Sequence, residues 1–154
     1  MNIRNSSKAI IVENNRLLAI KKKDVNGCYY ILPGGGQEHG ENLHQTLQRE
    51  CLEEIGTEIE IGELVFIREY IGKNHEHAAF DAQLHQIEYM FHCRLVNPTQ
   101  DFKGGTNPDE GQISVDWIPL KDLMDCRLYP QKVRKLIIQA AEGQEAAVYL
   151  GDIN

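Results

Sequence analysis

Three glutamates, Glu50, Glu53 and Glu54, stand three and four positions apart in a stretch whose apolar residues recur with helical spacing. At about 100° per residue from Leu43, the residues Leu43, Leu47, Cys51 and Ile55 fall at roughly 0°, 40°, 80° and 120°. Glu53, Glu50 and Glu54 fall at roughly 280°, 340° and 20°. The carboxylates share one arc, and Glu54 lies within the apolar stripe. Like charges at this spacing repel by some tenths of a kcal/mol, and a core-facing carboxylate costs several kcal/mol unless a cation or hydrogen bonds meet it. Arg49, at roughly 240°, flanks Glu53 and cannot neutralise three acids. A hard divalent cation suits such a set, since Mg²⁺ takes oxygen ligands and bridges to phosphates. The alternative is a solvated acidic face.

The elements that must position these groups read as follows. Asn42 with Gln45 forms a capping-box signature, and Gly56 stands where a helix ends. Before this helix, Lys8–Val12 and Leu17–Ile20 predict strands joined at Asn14-Asn15, a pair suited to left-handed turn conformations. Lys21–Lys23 lead to a turn at Asn26-Gly27, and Cys28–Leu32 predicts a strand stopped by Pro33 and a loop, Gly34-Gly35-Gly36. Glycine there lets the backbone turn sharply and approach the carboxylates closely. Ile59, Ile61 and Leu64–Ile71 return to strand character, followed by a polar loop at Gly72–Leu84. His85–Val96 alternates as a half-buried strand with Tyr89 and Phe91 on one side. Asn97–Glu110 predicts a loop, Ile113–Ile118 a strand, Leu120–Asp125 a short helix, Gln131–Ala141 a helix and Ala146–Leu150 an edge strand. The pattern fits one α/β domain of 154 residues, 1–154, with a mixed sheet covered by helices.

Composition narrows the functions. Sixteen Lys+Arg against twenty-three Asp+Glu leave a formal charge of −7, unsuited to neutralising a nucleic-acid backbone. Between Gly35 and Thr57 five acids face one base, so more than half of the net charge sits in that segment. Four cysteines without a C-x-x-C pair exclude a zinc ribbon or thioredoxin-like redox site. No apolar run reaches membrane-spanning length and the polar amino terminus has no signal-peptide core, so the expected location is cytoplasmic.

Gly35, five residues, Glu41, seven residues, then Arg49-Glu50-Cys51-x-Glu53-Glu54-x-Gly56-Thr57 resembles the Nudix box, G-x5-E-x7-R-E-U-x-E-E-x-G-U with U aliphatic. Cys51 and Thr57 depart at the aliphatic positions, and neither carries a ligand atom of the pattern. The resemblance implies an α/β/α sandwich around a mixed β-sheet. It also implies hydrolysis of a diphosphate bond in a nucleoside diphosphate derivative by water attack on phosphorus, with Mg²⁺ or Mn²⁺. Glu50, Glu53 and Glu54 become the metal ligands. Arg49 orients a neighbouring carboxylate, Glu41 joins this network or braces the loop, and Gly34, Gly35 and Gly36 line the substrate. Glu110 resembles the general base that some members carry on a late loop, with Glu88 and a box glutamate as competitors. Lys21 and Lys22 stand where members often place a phosphate-binding base. Tyr70, like Tyr29 and Tyr30, is a candidate for stacking on a nucleobase. His75-Glu76-His77 lacks a third ligand for a second metal.

Within the family, no proline between Thr57 and Asn97 disfavours the ADP-ribose type, and the absent C-x-x-C pairs disfavour the zinc-bearing NADH type. A nucleoside triphosphate or dinucleoside polyphosphate is favoured as the small-molecule partner. A homodimer is expected by analogy only. The rival reading is a Nudix-like module that senses nucleotides without hydrolysis; such modules usually lose box glutamates, and here none is missing.

Overall fold

The computed structural model describes residues 2–98, 102, 105, 107, 108 and 110–154. Nine strands form the mixed sheet: β1 Arg4–Glu13, β2 Arg16–Asp24, β3 Gly27–Ile31, β4 Gly34–Gly36, β5 Ile59–Ile71, β6 His85–Leu95, β7 Gln112–Pro119, β8 Leu128–Tyr129 and β9 Tyr149–Asp152. Their order is β8-β3-β2-β1-β6-β5-β9, with β4 on β1 and β7 on β2. The helices are α1 Leu43–Ile55, α2 Ala78–Asp81 and α3 Val133–Ala141, with 3₁₀ turns at Gly72–Asn74 and Leu120–Asp125.

Local chemistry accounts for the elements nearest the carboxylates. Asn42 accepts from the Gln45 amide while the Gln45 side chain reaches back to the Asn42 amide, closing the expected capping box. Gly56 ends α1 in the left-handed region at φ 70°. Asn14 and Asn15 turn β1 into β2 at φ 50° and 56°. Leu47, Cys51 and Ile55 are buried against Ala9, Ile11, Leu18, Ile20 and Phe91. Each buried aliphatic there contributes about 1.5–3 kcal/mol. A second cluster, with Ile10, Leu17, Phe66, Met90 and Leu123, packs under Val133 and Ile137 of α3. Helices thus cover both faces, giving the sandwich the sequence predicts.

Three expectations need correction. The glycine run is a strand rather than a loop: Gly34, Gly35 and Gly36 pair antiparallel with Lys8, Ser7 and Ser6. Gly34 sits at φ 125°, and a Cβ there would strike the Ser7 carbonyl. β6 is buried on both faces at its middle, because Glu88 and Met90 are covered as well as Phe91. The segment 72–84 holds a 3₁₀ turn and α2 instead of a plain loop. By contrast, the strand character expected at Ile59, Ile61 and Leu64–Ile71 is found, as β5, with register shifts between Ile61 and Phe66. Of the loop expected at Asn97–Glu110, residues 99–101, 103, 104, 106 and 109 lie outside those described.

Candidate active site

Arg49 organises the carboxylate end of α1. Its Nε and Nη2 donate to the two oxygens of Glu41 at 2.7 and 2.9 Å, a bidentate pair. Nη1 donates to Glu50 at 3.0 Å and lies 3.5 Å from Glu53, while Nη2 also donates to the Gly36 carbonyl at 3.0 Å. Glu41 in turn accepts from the Glu38 amide and the Thr46 hydroxyl. Both roles expected of Glu41, network and brace, are therefore met by one side chain. The Arg49 hydrogen bonds hold the Glu41 carboxyl at about 2, far below the usual range.

The box glutamates take separate positions along β4. Glu50 presses its carboxylate against Gly35, where an added Cβ would push the end of the Glu50 side chain aside. Burial pushes its carboxyl up, against the pull of Arg49 and Lys8 and with the repulsion of Glu53. Glu54 is fully buried and accepts the Gly34 amide at 2.8 Å. Glu53 stays partly exposed beside Arg49. The single three-carboxylate pocket expected from helical angles is not closed: among the described residues, no three His, Cys, Asp or Glu side chains converge as a metal nest. Mutual repulsion and distinct donors explain this, since Arg49 draws Glu50 and Glu53 while the Gly34 amide draws Glu54. The donor set still fits a hard cation. It consists of carboxylate oxygens only, and its most desolvated member beside Arg49, Glu50, holds its negative charge at a cost that a cation would relieve.

A cationic residue that sequence reasoning passed over stands between this helix and β6. Lys8 on β1 donates to the Gly34 carbonyl at 2.8 Å, and its charge favours the ionised forms of both Glu50 and Glu88. Next to it, the Ser6 hydroxyl donates to the Gly35 carbonyl. The signal for Lys8 was its place at the start of an apolar strand, which alone says little.

The other candidates separate. Glu88 is buried and bonded to Arg68 at 2.6 Å and to the Gln86 amide at 2.7 Å. Burial raises its carboxyl, yet the charges of Arg68 and Lys8 and its hydrogen bonds outweigh that and hold it low. It is neither solvent-exposed nor free to take a proton. Glu110 is exposed in the turn before β7. Its loop is fastened to the last turn of α1 on both sides: the Asn107 amide donates to the Glu53 carbonyl and the Gln112 side chain to the Glu54 carbonyl. Lys21 and Lys22 lie on opposite faces of β2. Lys22 is level with Tyr29, and Lys21 with Tyr30, whose hydroxyl donates to Asp116. Only one of the two lysines can therefore face a common ligand. Tyr70 is buried, stacked on His75 at 5.0 Å, with its hydroxyl donating to Asp81. Burial and Asp81 push that hydroxyl up to about 12. It forms part of the wall of a cleft of about 390 Å³ rather than an open stacking surface. His75 bonds Asp152 at 2.6 Å.

A mixed sheet lies between helices, and a carboxylate-bearing helix is braced by arginine against a glycine strand. The NUDIX domain matches residues 4–139, and the chain belongs to the Nudix family. Solved structures agree on the fold. A NUDIX hydrolase from Nitrosomonas europaea matches with TM-score 0.73 at 18% identity, covering 96% of this chain and 94% of that one. An ADP-ribose pyrophosphatase from Streptococcus suis matches at 0.67 and 19% identity, covering 98% and 100%. A UDP-X diphosphatase matches at 0.70 and 17% identity, covering 99% and 68%.

Proposed function

We propose that this chain hydrolyses a diphosphate bond in a nucleoside diphosphate derivative, using Mg²⁺ or Mn²⁺ held by Glu50, Glu53 and Glu54. The observation that carries this is the single guanidinium of Arg49 holding Glu41, Glu50 and the Gly36 carbonyl, with Glu53 alongside. It fixes two box carboxylates, Glu41 and Glu50, beside the glycine strand β4, where the absence of a side chain at Gly35 makes room for the Glu50 carboxylate. When bound, the cation would neutralise the diphosphate and lower the pKa of an attacking water.

The residues contribute the remainder. Arg49 holds the Glu50 carboxylate by a hydrogen bond and lies beside Glu53. Lys8 adds positive charge where an anionic substrate must approach three acids. Gly34 and Gly35 let β4 pack closely against Ser7 and the Glu50 carboxylate. Glu110 is the proposed proton acceptor, on a loop tied to α1; Glu88 is set aside because Arg68 occupies it. A nucleoside triphosphate or dinucleoside polyphosphate is the favoured substrate. ADP-ribose and UDP-linked compounds, named for the solved relatives, belong in the same panel.

The test is hydrolysis of that panel with Mg²⁺, with chelator, and in Glu53→Gln. We expect release of phosphate or pyrophosphate that chelator abolishes and the variant lowers by orders of magnitude. Hydrolysis undiminished in chelator would refute the metal-assisted reading.

A further inference from the structure

The cleft walled by Tyr70 has a chemistry of its own, separate from the carboxylate helix. Tyr29 and Tyr129 meet edge to face at 6.0 Å, and His77 meets Tyr129 in the same way. The Arg127 guanidinium lies 5.4 and 5.5 Å from the two tyrosine ring centres and is itself fixed by a bidentate pair with Asp24. One wall is thus a rigid aromatic surface. On α2, Phe80 lines the same cleft with its ring 90% exposed, and it has no ring partner among the described residues. An exposed phenylalanine alone means little; one that borders an aromatic slot offers a face to a planar ligand.

The polar groups of the cleft are biased towards accepting. Arg68 donates Nε to Glu88 and Nη1 to the Ile153 carbonyl and the Asn154 side-chain oxygen, and its guanidinium lies over the Tyr70 ring at 5.4 Å. The Gln86 amide nitrogen is committed to Glu88, leaving its carbonyl oxygen. Asp81 receives the Tyr70 hydroxyl on Oδ2 and forms no ion pair among the described residues, so Oδ1 is left to accept. Such a slot disfavours a phosphate or carboxylate and favours a flat ring with N–H donors. Its volume of about 390 Å³ suits a small ligand. Glu88 joins it to the proposed reaction centre, because Glu88 is level with Ser6, whose hydroxyl holds Gly35 beside Glu50.

We propose that this cleft takes the organic end of the substrate, and that Asp81 selects a nucleobase bearing an exocyclic amino group while Phe80 stacks over its ring. The inference rests on the hydrolase reading for its place in catalysis, and binding tests it independently of chemistry. Calorimetry compares CMP with UMP and GMP with IMP, pairs that differ at the amino group. Hydrolysis of CTP, UTP, GTP and ITP with Mg²⁺ then follows the same comparison in kcat/KM.

The amino-bearing member of each pair should bind about tenfold or more tightly, and the preference should appear in KM more than in kcat. In Asp81→Ala the two members should become equal. Asp81→Asn, which keeps an acceptor for Tyr70, should retain a preference of a few-fold. Phe80→Ala should weaken all four ligands alike. Equal binding within each pair by the unmodified protein, or a preference unchanged in folded Asp81 variants, would overturn the inference. Selective binding without hydrolysis of any triphosphate would support it while overturning the hydrolase reading.

Discussion

Replacing Glu41 with glutamine tests how much of the carboxylate end of α1 depends on one ion pair. The substitution keeps the size of the side chain and removes half of the bidentate contact to Arg49, because an amide nitrogen would then face Nη2. The Glu41 carboxyl is held at about 2 against an ordinary 4.5, which corresponds to roughly 3 kcal/mol of folding free energy. A hydrogen-bonded charge pair of this kind gives a similar figure, about 1.5–3 kcal/mol. A depressed carboxyl stabilises the folded chain fully above its unfolded value and loses that contribution as the pH falls towards 2. Glu50, whose carboxyl is raised, works in the opposite sense, losing stability as pH rises through its folded value. Comparing the variant with the parent at each pH cancels that effect to first order. Urea unfolding is the suitable assay, since guanidinium chloride would screen the pair. The expected gap is about 2–3 kcal/mol at pH 7, or roughly 5–10 °C in Tm, shrinking below half by pH 3. A gap under 1 kcal/mol at pH 7, or one independent of pH, would refute the reasoning.

Adjacent glycines should respond differently. Gly35→Ala pushes only on the end of the Glu50 side chain, so the protein should fold with near-normal Tm and strongly reduced hydrolysis. Gly34→Ala drives a Cβ into the Ser7 carbonyl from positive φ and should lower Tm outright. Thermal unfolding and turnover, measured together, separate the two. Glu110→Gln should reduce turnover by orders of magnitude with stability intact, and near-normal turnover would remove Glu110 as the base. Glu88→Gln should instead destabilise by about 3 kcal/mol or more, because it leaves Arg68 buried without its counter-charge; an unchanged urea midpoint would contradict that account.

The parts of this fold that can be read from sequence are those fixed by neighbours along the chain. The Asn42–Gln45 box, the four-residue apolar spacing of α1, Gly56 at its end and the Asn14-Asn15 turn all act within a few residues. What escaped was set by pairing across long separations. Nothing in three glycines suggests a strand, and their pairing with Ser6–Lys8 supplies the order their side chains cannot. Lys21 and Lys22 look equivalent until register with β3 and β7 sends them to opposite faces. Glu88 looks like a candidate base until Arg68, twenty residues away, is seen on its carboxylate. Tyr129 meets Tyr29 only because β8 runs parallel to β3. One clue was overlooked: Arg68 stands between Phe66 and Tyr70 on the same side of β5, and a cation in so apolar a row implies a buried acid nearby.

Every group that Arg49 touches lies between Gly36 and Glu53, so the bracing travels with the segment that needs it. What the segment must borrow is narrow: a neighbouring strand with backbone groups free to pair with Gly34–Gly36 and to run as close beneath Gly34 as Ser7 does. A foreign sheet offering that edge in the same alignment should accept the loop and helix as a graft, while the aromatic slot beyond Glu88, assembled from distant stretches of chain, would stay behind. On the proposed reading, reaction and choice of substrate are in that sense separable parts of this molecule, open to being recombined.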